Sequence, residues 1–290
     1  NYTLYGGVRF GGAITADNAF EMGFDHVALC MGAGKPTVLG IPNGLARGVR
    51  QASDFLMALQ LTGAAKPDSV TNLNIRMPVV VIGGGLTAID TATEALAYYV
   101  KQVEKFLARY EEIQERDSGD PGWTEEEKGF AEEFLEHGRA IRAEREAAAA
   151  QNRTPNFSPL LDSWGGATLA YRRRMIDSPS YTLNHEEITK AFEQGIHFAE
   201  MLSPVAIEVD EHGHAEAIKL ELQEIDEHNR PNATGHVIAM PAKSILIAAG
   251  TQPNTVIARE YPGFADLDGK YFQAEDEDGN AVTPEWSSKP

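Results

Sequence analysis

Gly83, Gly85 and Ala88 stand at the spacing Gly-x-Gly-x-x-Ala, with Gly84, Leu86 and Thr87 completing the run. The run follows Val79-Val80-Val81-Ile82 and opens a segment whose apolar residues recur at helical spacing. Four β-branched residues in a row read as a strand buried on both faces, so the unit predicted is strand, tight turn, helix. In such a unit the first glycine permits the turn, the second lets the backbone approach a pyrophosphate, and the small third residue allows close helix–strand packing. Free N–H groups and the positive dipole end at the helix start would hold an anion without any charged side chain. The chemistry indicated is dinucleotide binding; the plainer alternative is a glycine turn that merely packs tightly.

The second strand decides which dinucleotide. An NAD site wants a carboxylate there, about 20 residues beyond the glycines, for the ribose 2′-hydroxyl. Glu104 is the carboxylate near that distance, but it lies inside a continuous helical pattern. The next strand signal, Ala167 to Tyr171, runs into Arg172-Arg173-Arg174. Guanidinium groups pair bidentately with phosphate and stack on adenine, so Tyr171 to Arg174 suits a 2′-phosphate and points to NADPH. Against this stands a solvated basic patch, which is less expected in a chain with 43 Asp and Glu against 25 Lys and Arg.

Other candidates weigh less. Cys30 lies in an apolar run and reads as a buried, inert thiol. His212 and His214 sit in an apparent acidic turn and read as surface residues. Asp90 and Glu94, one turn apart on the fingerprint helix, read as solvated. Nothing resembles a Ser-His-Asp or Cys-His set. A formal net charge of -18 argues against nucleic acid and anionic membranes as partners. A single cysteine excludes an internal disulfide, a thiolate zinc site and an iron–sulfur cluster held by this chain alone, and suggests a cytoplasmic setting. No apolar run approaches the roughly 18 residues of a spanning helix. The start, Asn1 to Tyr5, carries no initiator Met or signal pattern and reads as part of something longer.

The positioning elements follow. Thr15 to Met22 reads as a helix, Val27 to Gly32 as a buried parallel strand stopped by glycine, and Ser53 to Leu61 as a helix. A domain boundary is expected just before Pro78. The fingerprint helix runs on towards Ile113; after a break at 117–122, Thr124 and Glu127 form a capping box that starts a second helix ending near Ala150. These make a helical hairpin inserted over 100–163. Asn184 with Glu187 caps a further helix closed by Gly195. Strands are expected at 196–201, 205–209, 217–222, 236–240 and 244–250, with an irregular tail from Tyr261.

The order of Val79 to Asp90, then Ala170 to Arg173, then Ile245 to Gly250 with Gln252-Pro253-Asn254 resembles the glutamate synthase small subunit and the flavin-binding part of dihydropyrimidine dehydrogenase. The resemblance covers roughly Val8 to Pro253, with the hairpin outside it. It implies an α/β fold: a Rossmann-like NADPH domain over 78–250, with a central parallel sheet and a small antiparallel insert, flanked by partial FAD-domain segments at 1–77 and 251–290. It further implies that Gly83 to Ala88 hold the pyrophosphate and that Arg172 and Arg173 hold the 2′-phosphate. Gly250 would lie near the nicotinamide–flavin junction, and Gly32 and Ala33 on the FAD side. The implied reaction is hydride transfer from NADPH to FAD, with electrons passed to iron–sulfur centres or a partner subunit. Leu86 departs from the acidic or polar residue common at that position, and the FAD glycine loop and cysteine-rich region are absent from this stretch. A different class of function, an interaction or regulatory module acting through the acidic hairpin of a degenerate dinucleotide fold, is the competing expectation.

Overall fold

The computed structural model describes residues 2–116, 119, 122–261 and 263–285. In chain order the elements are α1 (Ala16–Glu21), β1 (Lys35–Pro36), β2 (Val49–Gln51), α2 (Ala52–Leu61), β3 (Val79–Ile82), α3 (Leu86–Arg116), α4 (Glu125–Ala150), α5 (Ser158–Ser163), β4 (Ala167–Tyr171), a 3-10 turn at Met175–Asp177, α6 (Pro179–Glu193), β5 (Ile196–Glu200), β6 (Leu202–Val209), β7 (Ala215–Ile225), β8 (Pro231–Pro241), β9 (Ser244–Ile247), β10 (Thr251–Gln252) and α7 (Val256–Glu260). Four short strands close the chain: β11 (Leu267–Asp268), β12 (Tyr271–Phe272), β13 (Ala274–Glu275) and β14 (Ala281–Val282). They fall into two compact units, Val38–Gly250 and the combination of Asn1–Thr37 with Thr251–Pro290.

The larger unit is α/β. Its five-stranded sheet has the order β2-β9-β3-β4-β5, and every pair in it is parallel. Alternate residues of β3 face two different cores. Val79 and Val81 join the cluster built with α2, α3 and α6, whereas Val80 and Ile82 join a cluster with the antiparallel sheet β6-β7-β8. Both sheet faces are covered, which is why β3 is continuously apolar and fully buried. With β4 on one side of β3 and β9 on the other, the strand order reverses at β3. In open parallel sheets that reversal opens a crevice beyond the strand ends.

The unit boundary falls at Thr37/Val38 rather than before Pro78. Strand β2 pairs in parallel with β9, Val49 opposite Ile245, which ties the segment after residue 38 into the central sheet. The loop before Pro78 is held by α3: Ile75 N–H donates to Gln102 Oε1 at 2.9 Å, Gln102 Nε2 donates to Ile75 O at 2.7 Å, and Leu73 N–H donates to Tyr98 Oη at 2.9 Å. These are buried bonds from side chains that the 3.6-residue period alone marks only as helix interior.

The hairpin is formed by α3, 31 residues long, and α4, opened by the Thr124–Glu127 capping box. Of the intervening break, Gly119 and Gly122 are described and the rest lies outside the described residues. The inner face of α4 docks on its own unit. Glu133 Oε2 accepts from Arg76 at 2.8 Å and Lys243 at 2.7 Å, Arg76 also lies 4.1 Å over the Phe130 ring, and His137 stacks on Trp164 with centroids 3.8 Å apart. His214 is buried rather than on the surface, because Glu126 of the hairpin bonds its Nε2 and Phe130 packs edge-on to its ring. Glu104 is confirmed as a helix residue and pairs with Arg145 across the hairpin.

In the smaller unit, β1 pairs antiparallel with β10, and the tail forms two short hairpins, β11–β12 and β13–β14, instead of being irregular. The helix expected over Thr15 to Met22 forms as α1, with Thr15 as its cap. The run Val27 to Gly32 forms no strand, and Cys30 is exposed. An apolar run becomes a buried strand only where neighbouring strands satisfy its backbone and cover its faces, and among the described residues this run has no strand partner. No described helix is long and apolar enough to cross a membrane, and no group of His, Cys, Asp or Glu among the described residues could hold a metal ion.

Candidate dinucleotide site

The fingerprint turn closes the C-terminal end of β3, and each glycine in it has a distinct geometric role. Gly83 has φ +153°, and a Cβ there would lie 2.4 Å from the Ala248 carbonyl oxygen just after β9. A Cβ on Gly84 would lie 2.6 Å from the Tyr171 ring. A Cβ on Gly85 would meet nothing within 4 Å. Two glycines are therefore required by the protein itself, and the third opens onto free space where a ligand can come close to the backbone. Gly83 N–H donates to Ala170 O at 3.0 Å and Ala248 N–H to Ile82 O at 2.8 Å, which pins the turn between the two neighbouring strands.

Ala88 is completely buried, as close helix–strand packing requires, while Leu86 and Thr87 are exposed at the helix start. Ala88 and Ile89 N–H donate to Gly85 O at 2.9 and 3.3 Å, which leaves the N–H groups of Leu86 and Thr87 without a partner within the helix, at its positive dipole end. Strand β4 ends at Tyr171, beside the turn. Burial pushes the Tyr171 phenol up, partly countered by Arg173 and Arg172. Arg172 is exposed and Arg173 half-buried, and among the described residues neither side chain has a hydrogen-bond or ion-pair partner. Arg174 differs: its Nε and Nη2 donate to the two carboxylate oxygens of Asp177 at 2.7 and 3.0 Å. Of the three arginines expected to meet phosphate, Arg174 already has an anion.

The structure thus brings together Gly83 to Ala88 and Tyr171, with Arg172 and Arg173 directly after the strand. Gly250 lies just past β9, at φ +95° with open space around it. Gly32 and Ala33 belong to the smaller unit, where Gly32 O accepts from Asn254 N–H at 3.1 Å. Asp90 is exposed, as expected, and its carboxyl is raised by partial burial and by the nearby Glu187 charge of α6.

Ser178 and Ser180 escaped the sequence reading. Both are fully buried. Ser180 Oγ donates to Gly84 O at 2.8 Å and Ser180 N–H to the same oxygen at 3.3 Å, while Ser178 Oγ caps α6 by accepting from Tyr181 N–H. Helix α6 begins at Pro179, not at Asn184, whose φ of −160° and ψ of 63° mark a kink inside it. Serine directly before proline is a helix-start pattern, so the signal was present.

No family model matches the chain. It is 40% identical over 284 residues to the uncharacterized protein RP006 of Rickettsia prowazekii, covering 94% of this chain and 38% of that protein. It is 33% identical over 128 residues to the small chain of NADPH glutamate synthase from Bacillus subtilis, covering 42% of this chain and 24% of that one. The chain thus spans well under half the length of either curated relative. Among solved structures, Mycobacterium tuberculosis FprA in complex with NADPH aligns with a TM-score of 0.44 and 16% identity, covering 84% of this chain and 54% of FprA.

Proposed function

We propose that the unit Val38–Gly250 binds NADPH and serves as the NADPH-binding portion of an FAD-dependent oxidoreductase of the glutamate synthase small-subunit type. The observation that carries this reading is the contrast among the three glycines: Gly83 and Gly84 are closed against Ala248 and Tyr171, and Gly85 alone opens outward. A turn that only packed would have no use for the open third glycine. The partial identity with the Bacillus subtilis chain supports the same reading.

In this reading Gly85 and the first turn of α3 hold the pyrophosphate, and Arg172 and Arg173 hold the 2′-phosphate. Gly250 approaches the nicotinamide, and FAD belongs to the unit that carries Gly32 and Ala33. When both are bound, the chemistry supplied is hydride transfer from NADPH to FAD, with electrons leaving to an iron–sulfur centre or a partner subunit. Residence in the cytoplasm is part of the same proposal. The competing role for the hairpin as a docking module is disfavoured on its inner face, since Glu126, Glu133 and His137 are engaged by Arg47, Arg76, Lys243 and Tyr99 of the same unit.

The test is a titration of the chain with NADPH and NADH. Saturable NADPH binding, tighter than NADH and weakened by Arg172→Ala, is expected. Equal affinity for the two cofactors would overturn the 2′-phosphate assignment, and no binding of either would overturn the dinucleotide site.

A further inference from the structure

We propose that Asp177 sets how strongly this site selects a 2′-phosphate, by acting as a built-in anion that occupies Arg174. The inference rests on the NADPH reading above and names the residue that tunes it.

The arginine run holds three cations, and among the described residues Arg174 is paired while the Arg172 and Arg173 side chains have no hydrogen-bond or ion-pair partner. Both nitrogens of one Arg174 edge reach both oxygens of Asp177, at 2.7 and 3.0 Å, the two-pronged arrangement that a phosphate would otherwise take. Asn229, on the turn between β7 and β8, adds its Oδ1 as a further acceptor 3.4 Å from Arg174 Nη2. The ion pair is therefore held from two directions: by the 3-10 turn that carries Asp177 and by the antiparallel sheet.

The Asp177 side chain is only 15% exposed, so its charge is less screened than that of a surface carboxylate. Hydrogen bonding to Arg174 holds its carboxyl below the usual range, against some cost from burial and with help from Arg173. It is thus ionised at neutral pH and stands near Arg173, one of the two arginines assigned to the ligand. A 2′-phosphate carries about −1.5 to −2 charges, on the general values for phosphate monoesters, so it meets repulsion from Asp177 that a bare 2′-hydroxyl does not. Asp177 consequently lowers the affinity for 2′-phosphorylated nucleotides while leaving NADH nearly unaffected. Selectivity comes from Arg172 and Arg173 and is moderated by this carboxylate.

The experiment is a set of paired titrations of the chain with 2′,5′-ADP, 5′-ADP, NADPH and NADH. Asp177→Asn keeps the side-chain shape and removes the charge; it is expected to tighten 2′,5′-ADP and NADPH about fivefold and to shift 5′-ADP and NADH less than about twofold. Asp177→Ser, measured beside it, gives the same shift if charge is the cause. Arg174→Gln leaves Asp177 unpaired and is expected to weaken NADPH about fivefold, whereas the double variant returns close to the unmodified chain. If NADPH binds and the NADPH-to-NADH ratio is unchanged in both Asp177 variants, this inference is wrong and the NADPH reading stands. A loss of NADPH affinity at an unchanged melting temperature means that Asp177 orients Arg174 for the phosphate, which also overturns it. If the unmodified chain binds none of the four ligands, the dinucleotide reading fails and this inference falls with it.

Discussion

The glycine turn and the arginine segment stand at the ends of adjacent parallel strands, yet in the function proposed above they would recognise a nucleotide in opposite ways. Around Gly83 and Gly84 the fit is steric: a carbonyl oxygen and an aromatic ring fill the space where side chains would begin. Arg172 and Arg173 have no side-chain hydrogen-bond or ion-pair partner among the described residues, so what they would offer a ligand is charge. Shape recognition tolerates almost nothing, while charge recognition is graded and screened by salt. The turn should therefore decide whether a dinucleotide binds at all, and the arginines which one.

Gly83→Ala tests the steric side and has the largest expected effect. Its Cβ would sit 2.4 Å from a backbone oxygen that cannot swing away, and overpacking strain of about 1–3 kcal/mol is expected. NADPH and NADH should both weaken by up to about 100-fold, together, with a lower melting temperature. A variant that loses NADPH but keeps NADH would show that the turn reads the 2′-phosphate and that the two regions have exchanged roles.

Arg172→Ala with Arg173→Ala tests the electrostatic side. Two charge-assisted hydrogen bonds to phosphate contribute roughly 1.5–3 kcal/mol each, less when exposed, so NADPH should weaken about 50-fold and NADH less than about threefold. Raising the salt concentration should weaken NADPH binding to the unmodified chain and have much less effect on the double variant. Ser180→Ala comes next. It removes the hydroxyl but not the N–H bond to Gly84 O, and should weaken both cofactors equally, about fivefold, with Ser180→Thr restoring part of the loss. An effect confined to NADPH would assign Ser180 to the arginine side.

The same split explains what the sequence makes legible. The turn is visible because strand, glycines and helix are consecutive, and each residue type has one steric reason to be there. The Arg174–Asp177 pair is less visible, since Asp177 follows only three residues later but its partner across the fold, Asn229, comes from a distant hairpin. Two glycine-stopped apolar runs make the point more sharply. Ser244 to Ile247 is a buried strand between β2 and β3, whereas Val27 to Gly32, similar in sequence, forms no strand among the described residues. Composition makes a segment able to be a strand, and only the availability of neighbours makes it one. His214 failed for a related reason: the residues that bury it, Glu126 and Phe130, come from the hairpin, far away in sequence.

The seam under α4 offers the smallest expected effect on the nucleotide, and the sharpest control for the comparison. Tyr99 Oη and His137 Nδ1 share a hydrogen bond at 2.6 Å, and burial keeps the phenol protonated. Burial lowers His137 from its ordinary 6.5, somewhat opposed by Glu133 and Glu136. Protonation is thus easier in the unfolded chain, and the stability contributed by the neutral ring is complete above about 6.5 and declines as pH falls through that value towards the folded one. Glu133 has the same sign at lower pH. Burial opposes its charge, but hydrogen bonds from Arg76 and Lys243 outweigh that and hold it below 4.5, so its contribution is present above 4.5 and lost as pH falls through the depressed value. The melting temperature should decline in two stages on acidification, with His137→Phe flattening the upper stage and Glu133→Gln the lower. Over the upper stage the NADPH-to-NADH ratio should not follow His137, because among the described residues the hydrogen bonds, ion pairs and ring contacts of this seam involve neither the glycine turn nor Arg172 and Arg173. A ratio that tracked the upper stage, and lost that dependence in His137→Phe, would mean that hairpin docking is coupled to phosphate recognition and that the two-region division is incomplete.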